Sequence, residues 1–171
     1  MLSGGLLAFS GTDMQKAAGI NDSNEQLYDD IRRAGGHQNV EALVRTYVAN
    51  QMSAYEWLKK LGTQFISVEL GAGQGQPRAH SVRSIDFMAL MEQRARDTGK
   101  IEIVFNAAAQ RLLRGSDGAR VEGVAALING KPQTIRARRG VVLAAGGFSR
   151  NAEMVNLFVP HQAKCVVYCG A

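Results

Sequence analysis

Apolar residues recur at helical spacing through the first hundred positions of the chain. Leu27 and Ile31 stand four residues apart, on one face of a predicted helix that Asp22 or Ser23 can cap and that runs to about Ala34. The pair of glycines that follows is a typical stop signal for a helix. The pattern therefore predicts a first amphipathic helix in this part of the chain.

Two further helices are predicted before residue 100. The longest helical pattern runs from about Asn39 to Leu61 and is ended by Gly62. After a glycine-rich loop, Ser84 can cap another helix that reaches about Thr98. The side chains expected to face inward from this last helix are Phe87, Leu90 and Met91.

The pattern changes from helical to alternating after Gly99, which is typical of strands. The predicted strands cover residues 101–105, 109–113, 121–128 and 133–138. Asn129-Gly130 separates the last two, and this dipeptide is a strong signal for a tight hairpin. The segment therefore predicts a crossover into one strand, followed by an antiparallel meander.

A continuous apolar run from Val141 to Ala145 comes next and is bounded by glycines. Such a run is typical of a strand buried on both faces in a parallel sheet. Residues Asn151 to Phe158 predict a short helix that Pro160 ends. The order of elements predicts an α/β fold with a helical N-terminal half and a β-meander inserted before a buried parallel strand.

Composition and charge narrow the classes of function. The net charge is +5, but the basic residues are dispersed and aromatic residues make up only 6%, so we expect no binding of nucleic acid. No apolar run approaches the roughly 20 residues that span a bilayer, so we expect no membrane span. The first residues lack the basic region of a secretion signal, and we expect a cytoplasmic rather than an exported protein.

The chain carries no spacing typical of a metal centre or of a nucleophilic triad. Cys165 and Cys169 stand four residues apart, which is the wrong spacing for a redox pair. We interpret these cysteines as reduced, packed thiols.

The end of the apolar run is a candidate for contact with a nucleotide. It leaves only small residues where a ligand would approach: Ala144, Ala145, Gly146 and Gly147. Bare main chain at the carboxyl end of a strand lets backbone N–H groups come close to a dinucleotide. A tight strand-to-helix turn without a ligand explains the same residues equally well.

Other candidates have simpler explanations. Gly4 and Gly5 could let a planar ring lie against the backbone, although a flexible chain start explains them better. Arg78 and His80 stand two apart in a loop and could hold an anion, although a solvated pair in a mobile surface loop is the simpler interpretation.

Several short motifs follow one another in an order shared by one family. These are Ser3-Gly4-Gly5-Leu6-Leu7-Ala8, Arg78-Ala79-His80, the segment Asn106 to Leu113, Val121-Glu122-Gly123-Val124 and the segment Val141 to Phe148. In this order the chain resembles the FAD-binding domain of the fumarate reductase/succinate dehydrogenase flavoproteins. That family includes fumarate reductases, urocanate reductases, tricarballylate dehydrogenases and ketosteroid dehydrogenases.

The resemblance implies a partial, Rossmann-like FAD-binding domain and a set of contacts. Ser3, Gly4 and Gly5 would lie near the isoalloxazine ring or the ribityl chain. Ala109 would hold the adenine through its backbone. The adenosine–pyrophosphate side would be lined by Ala144, Ala145, Gly146 and Gly147. Arg78 and His80 would contact the substrate, a small carboxylate or ketone.

The chain also departs from the family pattern. It contains neither the GxGxxG fingerprint nor the later Thr-Gly-Asp-Gly motif, and Ser81 stands where many relatives carry arginine. We therefore expect residues 1–171 to form one incomplete FAD-binding domain, mainly helical over 1–100 and strand-rich over 101–171, without the substrate-capping domain. Because the fingerprint is absent, a nicotinamide-binding domain is excluded.

Two functions follow from this comparison. The first is a fragment of a flavin-dependent oxidoreductase whose parent transfers a hydride between FAD and an alkene bond adjacent to a carboxylate or carbonyl. The fragment alone would be inactive, would bind flavin weakly or not at all, and would self-associate through an exposed sheet edge. The alternative is a cofactor-free interaction or assembly module derived from such a flavoprotein.

Overall fold

The computed structural model describes residues 4–115, 120–149 and 151–164, and divides the chain into two compact units, residues 1–98 and 99–171. Ser3, Cys165 and Cys169 lie outside the described residues, so the expectations for them stay predictions. No helix among the described residues is long and apolar enough to cross a membrane.

The first unit combines four helices with a small antiparallel sheet. The helices are α1 (Asp13–Ala17), α2 (Asn24–Ala34), α3 (Glu41–Leu61) and α4 (Ser84–Asp97). The strands are β1 (Leu6–Ala8), β2 (Val68–Glu69) and β3 (Ala79–Ser81), in the spatial order β1-β3-β2. Strand β3 therefore lies at the centre, hydrogen-bonded on both sides.

The three predicted helices of this unit are confirmed, and their ends have local causes. Ser23 caps α2 by accepting a hydrogen bond from the backbone N–H of Gln26 at 3.2 Å. Gly62 ends α3 in the left-handed conformation, with φ of 103°. The expected cap of α4 is wrong by one residue, because Ser84 is already helical and Arg83 takes the cap position.

Sequence periodicity missed α1 and the strands of the first unit, which are five residues or shorter. Helix α1 begins with a capping box: Thr12 accepts from the backbone N–H of Gln15, and the side chain of Gln15 accepts from the backbone N–H of Thr12. The pattern Thr-x-x-Gln was the available sequence signal for this helix.

Aromatic rings form the core of the first unit. Phe9, Tyr55 and Leu58 are buried together, and the Phe65 ring stacks on Tyr55 with centroids 5.0 Å apart. Phe87 and Met91 of α4 pack against this cluster, as the sequence predicts. The core thus joins the two long helices to the sheet.

The second unit is built around the predicted meander. Its strands are β4 (Ala107–Arg114), β5 (Val121–Ile128) and β6 (Lys131–Arg136), antiparallel and in sequence order. Asn129 and Gly130 form the hairpin turn with φ of 50° and 76°, and two consecutive positive values are typical of a type I′ turn. Asn151 caps the predicted short helix, α5 (Ala152–Phe158).

Two predicted strands are wrong. Residues 101–105 and 141–145 are among the described residues, yet neither segment pairs with a strand. Val142 is 90% exposed and Leu143 70% exposed, where burial on both faces was expected. A strand in a parallel sheet needs hydrogen-bonding neighbours on both sides, and the described residues supply none for this run.

Candidate functional site

The first candidate segment is the main chain that leads into β1. Gly4 is exposed, whereas Gly5 is buried and adopts a left-handed φ of 67°. The carbonyl of Gly5 accepts a hydrogen bond from the backbone N–H of Val82, just after β3, at 2.8 Å. The glycines that the resemblance places at the flavin are thus tied to the central strand of the sheet.

The second candidate segment, residues 144–147, lies in the second unit and has exposed main chain. Gly146 adopts a φ of 75°, and no heavy atom lies within 4 Å of the position that a Cβ at Gly147 would take. The strand expected before these residues is absent, but no side chain fills the space at Gly147.

Ala109 lies on β4, where it pairs with Ala126 of β5, and is exposed. A register shift follows directly, between Ala109 and Arg111. Bulges of this kind bend a strand and leave one residue unpaired. The structure therefore places Ala109 at an irregular point of an edge strand, with exposed backbone on one side.

Arg78 is fully buried, so its interpretation as part of a solvated loop pair is wrong. Its Nε and Nη2 atoms donate to the two carboxylate oxygens of Asp22, each at 2.7 Å, and its Nη1 donates to Asp30. The backbone N–H of Gly75 also donates to Asp30, at 2.6 Å. Two carboxylates thus neutralise a guanidinium that has no contact with solvent.

The carboxylate of Asp30 is surrounded by hydrogen-bond donors. Burial alone would raise the pKa of Asp30, but hydrogen bonds from Arg78 and Gly75 outweigh it and hold that pKa below its usual value. Asp22 also accepts from Gln15 Nε2 at 2.9 Å. The cluster links the capping box of α1, the start of α2 and the glycine loop before β3.

His80 is also fully buried, at the centre of the sheet. Its Nδ1 lies 2.7 Å from the carbonyl oxygen of Arg78, and its Nε2 lies 2.9 Å from Thr12 Oγ1. Since a carbonyl only accepts, Nδ1 carries the proton and Nε2 accepts from the threonine hydroxyl. Burial lowers the pKa of His80, and the backbone hydrogen bonds that oppose this are weaker.

Arg78 and His80 therefore come together, but as internal partners of α1, α2 and β1. A substrate role for them stays a prediction, and neither side chain has surface to offer a solute in this structure. Sequence reasoning missed their partners Asp22, Asp30 and Thr12 as a group. The described residues contain no group of acidic, histidine or cysteine side chains that could hold a metal ion.

A sequence model of the FAD-binding domain matches residues 1–168. The chain is 29% identical over 154 residues to the NADH:fumarate oxidoreductase of Klebsiella pneumoniae, which covers 87% of this chain and 16% of that protein. It is 30% identical over 169 residues to the urocanate reductase of Eggerthella lenta, covering 90% of this chain and 26% of that protein.

Among solved structures, the chain is similar to the open conformation of a flavocytochrome c3 fumarate reductase. The TM-score is 0.84 at 25% identity, over 95% of this chain and 29% of that one. The chain thus spans less than a third of the length of each of these three proteins.

Proposed function

This chain belongs to the FAD-binding domain family, and we propose that it is a segment of a flavin-dependent oxidoreductase. The parent would transfer a hydride between FAD and an alkene bond adjacent to a carboxylate or carbonyl. The observation that carries this proposal is the match of residues 1–168 to the family, because it spans both compact units.

The names of the relatives support the substrate class. Fumarate and urocanate, in the names of two relatives, are both alkenes conjugated to a carboxylate. When bound, FAD supplies the hydride chemistry, and the protein supplies binding, orientation and electrostatics. Since the chain spans only part of each relative, the activity is proposed for the parent and we expect the chain alone to be inactive.

The residues of this chain fit a role in holding FAD through bare main chain. No heavy atom lies within 4 Å of a Cβ position at Gly4 or Gly147, so main chain at both sites is open to a ligand. We propose that Ser3, Gly4 and Gly5 lie near the isoalloxazine ring or the ribityl chain. Ala109 would hold the adenine, and the adenosine–pyrophosphate side would be lined by Ala144, Ala145, Gly146 and Gly147.

An assembly module without cofactor is the second candidate. The observation that favours it is the exposed apolar surface of the second unit. Val142 and Leu143 are exposed, and so are Leu157 and Phe158 of α5, at 71% and 61%. Large exposed apolar patches are typical of surfaces that contact another protein.

Titration of FAD into the purified chain, followed by flavin fluorescence, separates the two candidates. The oxidoreductase segment predicts weak binding that Gly147→Val reduces, because a branched side chain would fill the open space at that position. Gly140→Val is the matched control, since Gly140 also has open space and lies outside the proposed contacts.

Four outcomes test the proposed contacts, the choice between the candidates and the substrate class. Binding that both valine variants reduce equally would count against the contacts proposed at residues 144–147. No binding of FAD by the protein encoded with its flanking sequence, together with stable self-association, would favour the assembly module. Reduction of fumarate or urocanate by the protein encoded with its flanking sequence would establish the parent activity, and failure of both substrates would count against the proposed substrate class.

A further inference from the structure

The two adjacent glycines at the start of β1 have different environments. Gly4 is exposed, and a Cβ built there meets nothing within 4 Å. Gly5 is buried, and a Cβ built there would overlap the backbone carbonyl oxygen of Val82 and would stand 2.7 Å from Ser84 Oγ. In the sequence motif the two glycines cannot be distinguished, whereas in the structure they have different surroundings.

Two independent constraints require glycine at position 5. The φ of 67° is left-handed, a conformation that is unfavourable for every residue with a Cβ. The obstruction by Val82 is a backbone atom, so it cannot be relieved by turning a side chain. Because Val82 N–H also donates to the Gly5 carbonyl at 2.8 Å, the main chain of Gly5 is held against the main chain of Val82.

The position of Val82 is itself fixed. It directly follows β3, the central strand, and its side chain is 7% exposed. Strand β3 pairs with β1 through Leu6–Ser81 and Leu7–His80. Because Gly5 is fixed to the sheet in this way, the exposed main chain of its neighbour, Gly4, has a fixed position relative to the sheet.

We propose that the two glycines have separate tasks: Gly5 is a positioning residue locked against Val82, and Gly4 presents its main chain to the flavin. The Gly4 task rests on the proposed function, whereas the Gly5 lock does not. The Gly5 carbonyl, fixed by its internal hydrogen bond, sets where the preceding peptide lies.

The lock is tested by stability in the absence of flavin. Gly5→Ala and Gly19→Ala are matched, because Gly19 has a φ of 70° but nothing within 4 Å of a Cβ. We expect Gly5→Ala to lower the folding equilibrium constant at least about tenfold more than Gly19→Ala, since only the first adds an overlap. Gly4→Ala should leave that constant unchanged. Equal losses at positions 5 and 19 would overturn the lock.

A second measurement covers the case in which Gly5→Ala does not fold. In the wild-type chain, the Val82 amide should exchange with deuterium slowly, because it is hydrogen-bonded to the Gly5 carbonyl. Relieving only the side-chain contact, in the double variant Gly5→Ala/Ser84→Ala, should not restore stability. Fast exchange at Val82, or recovery in the double variant, would contradict the lock.

The flavin task is tested by following the glycine amides in nuclear magnetic resonance while FAD is added. We expect the Gly4 signal to shift in the wild type and in Gly19→Ala, and to lose most of that shift in Gly5→Ala at a temperature where this variant is folded. A purely structural role for Gly5 would leave the Gly4 response intact once the protein is folded. If no glycine responds in the wild type, the flavin assignment of Gly4 fails, while the stability comparison still decides the lock and the activity of the protein encoded with its flanking sequence still decides the proposed function.

Discussion

Arg78 and Asp22 form a bidentate ion pair in which both nitrogen–oxygen distances are 2.7 Å and neither side chain is exposed. The two residues are 56 positions apart in sequence. Asp30 of α2 adds a second carboxylate to the same guanidinium. The pair therefore connects the residues just before β3 to the start of α2. Two parallel hydrogen bonds of this kind need the planar guanidinium of arginine, which lysine lacks.

Replacement of Arg78 by methionine should strongly destabilise the first unit. It would leave the buried carboxylate of Asp22 without its cation and would leave Asp30 paired only with Arg33, and breaking a buried ion pair in this way costs about 3–5 kcal/mol. Arg83→Met is the control, because Arg83 and Asp86 are both exposed and lie 3.3 Å apart, where a pair is worth about 0–1 kcal/mol. Urea unfolding measures both free energies, and similar values for the two variants would contradict the buried role of Arg78.

Local signals predicted part of this fold well. The bounds of β5 were predicted correctly because alternation and the Asn129-Gly130 turn act over a few residues. The helices α2 and α3 follow from the same kind of local information. Strands 101–105 and 141–145 were predicted wrongly, because an apolar run becomes a strand only when a neighbour pairs with it.

The sequence predicted which residues belong to the candidate site, but not their burial or their contacts. Motif order singled out the glycines and Arg78, but burial depends on contacts between distant parts of the chain. The interpretation of Arg78 as solvated was wrong because its partners Asp22 and Asp30 precede it by 56 and 48 positions. The different environments of Gly4 and Gly5 likewise depend on Val82, which no local pattern connects to them.

Stability of the first unit should fall as the pH decreases below about 6.5. Burial lowers the pKa of His80 from its usual value of 6.5, so the unfolded chain binds a proton that the folded chain excludes. The ring contacts the aromatic rings of Phe9, Tyr55 and Phe65. It also hydrogen-bonds to the Thr12 hydroxyl and the Arg78 carbonyl, and Asp13 exerts a weaker, opposing influence on the pKa. The loss should therefore begin near the unfolded pKa and continue until the folded His80 is itself protonated.

The control for this pH dependence is His80→Asn, which cannot titrate. We expect its free energy of unfolding to be lower at pH 7 but nearly constant between pH 6.5 and 5, the range above the carboxylate titrations. Urea unfolding at several pH values measures this. An unchanged slope in the variant would show that His80 does not cause the dependence.

Thr12→Val should destabilise the chain because it removes two interactions at once. The hydroxyl accepts from the backbone N–H of Gln15 at 3.1 Å and lies 2.9 Å from His80 Nε2, and all three side chains are buried. Loss of a helix cap costs about 1 kcal/mol, and a buried acceptor left unsatisfied adds about 1–3 kcal/mol. Because valine has nearly the same shape as threonine, the loss of stability measures the contribution of the Thr12 hydroxyl.

Thr46→Val is the matched control for this variant. Thr46 lies within α3 and is exposed, and its hydroxyl donates to the carbonyl of Ala42 at 2.8 Å. We expect a change within about 0.5 kcal/mol, as is usual for surface substitutions. If thermal unfolding shows equal losses for the two threonines, the link from Thr12 to His80 contributes nothing to stability.

Self-association should depend on the exposed apolar run rather than on the edges of the meander. Edge strand β6 carries Lys131, Pro132 and Arg136, and such residues discourage pairing with another chain. Val142 and Leu143 have no such protection and are the most exposed large apolar side chains of the described part of the second unit, apart from Leu157. Burial of one such side chain contributes about 1.5–3 kcal/mol.

The double variant Val142→Glu/Leu143→Glu should therefore weaken association more than about tenfold, since it removes that burial and adds repulsion between copies. Gly140→Glu/Gly147→Glu adds the same charge to flanking residues that have no apolar surface to lose, and should weaken association less. Sedimentation velocity over a range of concentrations measures the dissociation constants. Equal effects of the two double variants would mean that charge alone governs association, and a wild type that stays monomeric at the highest concentration would rule out association through this run.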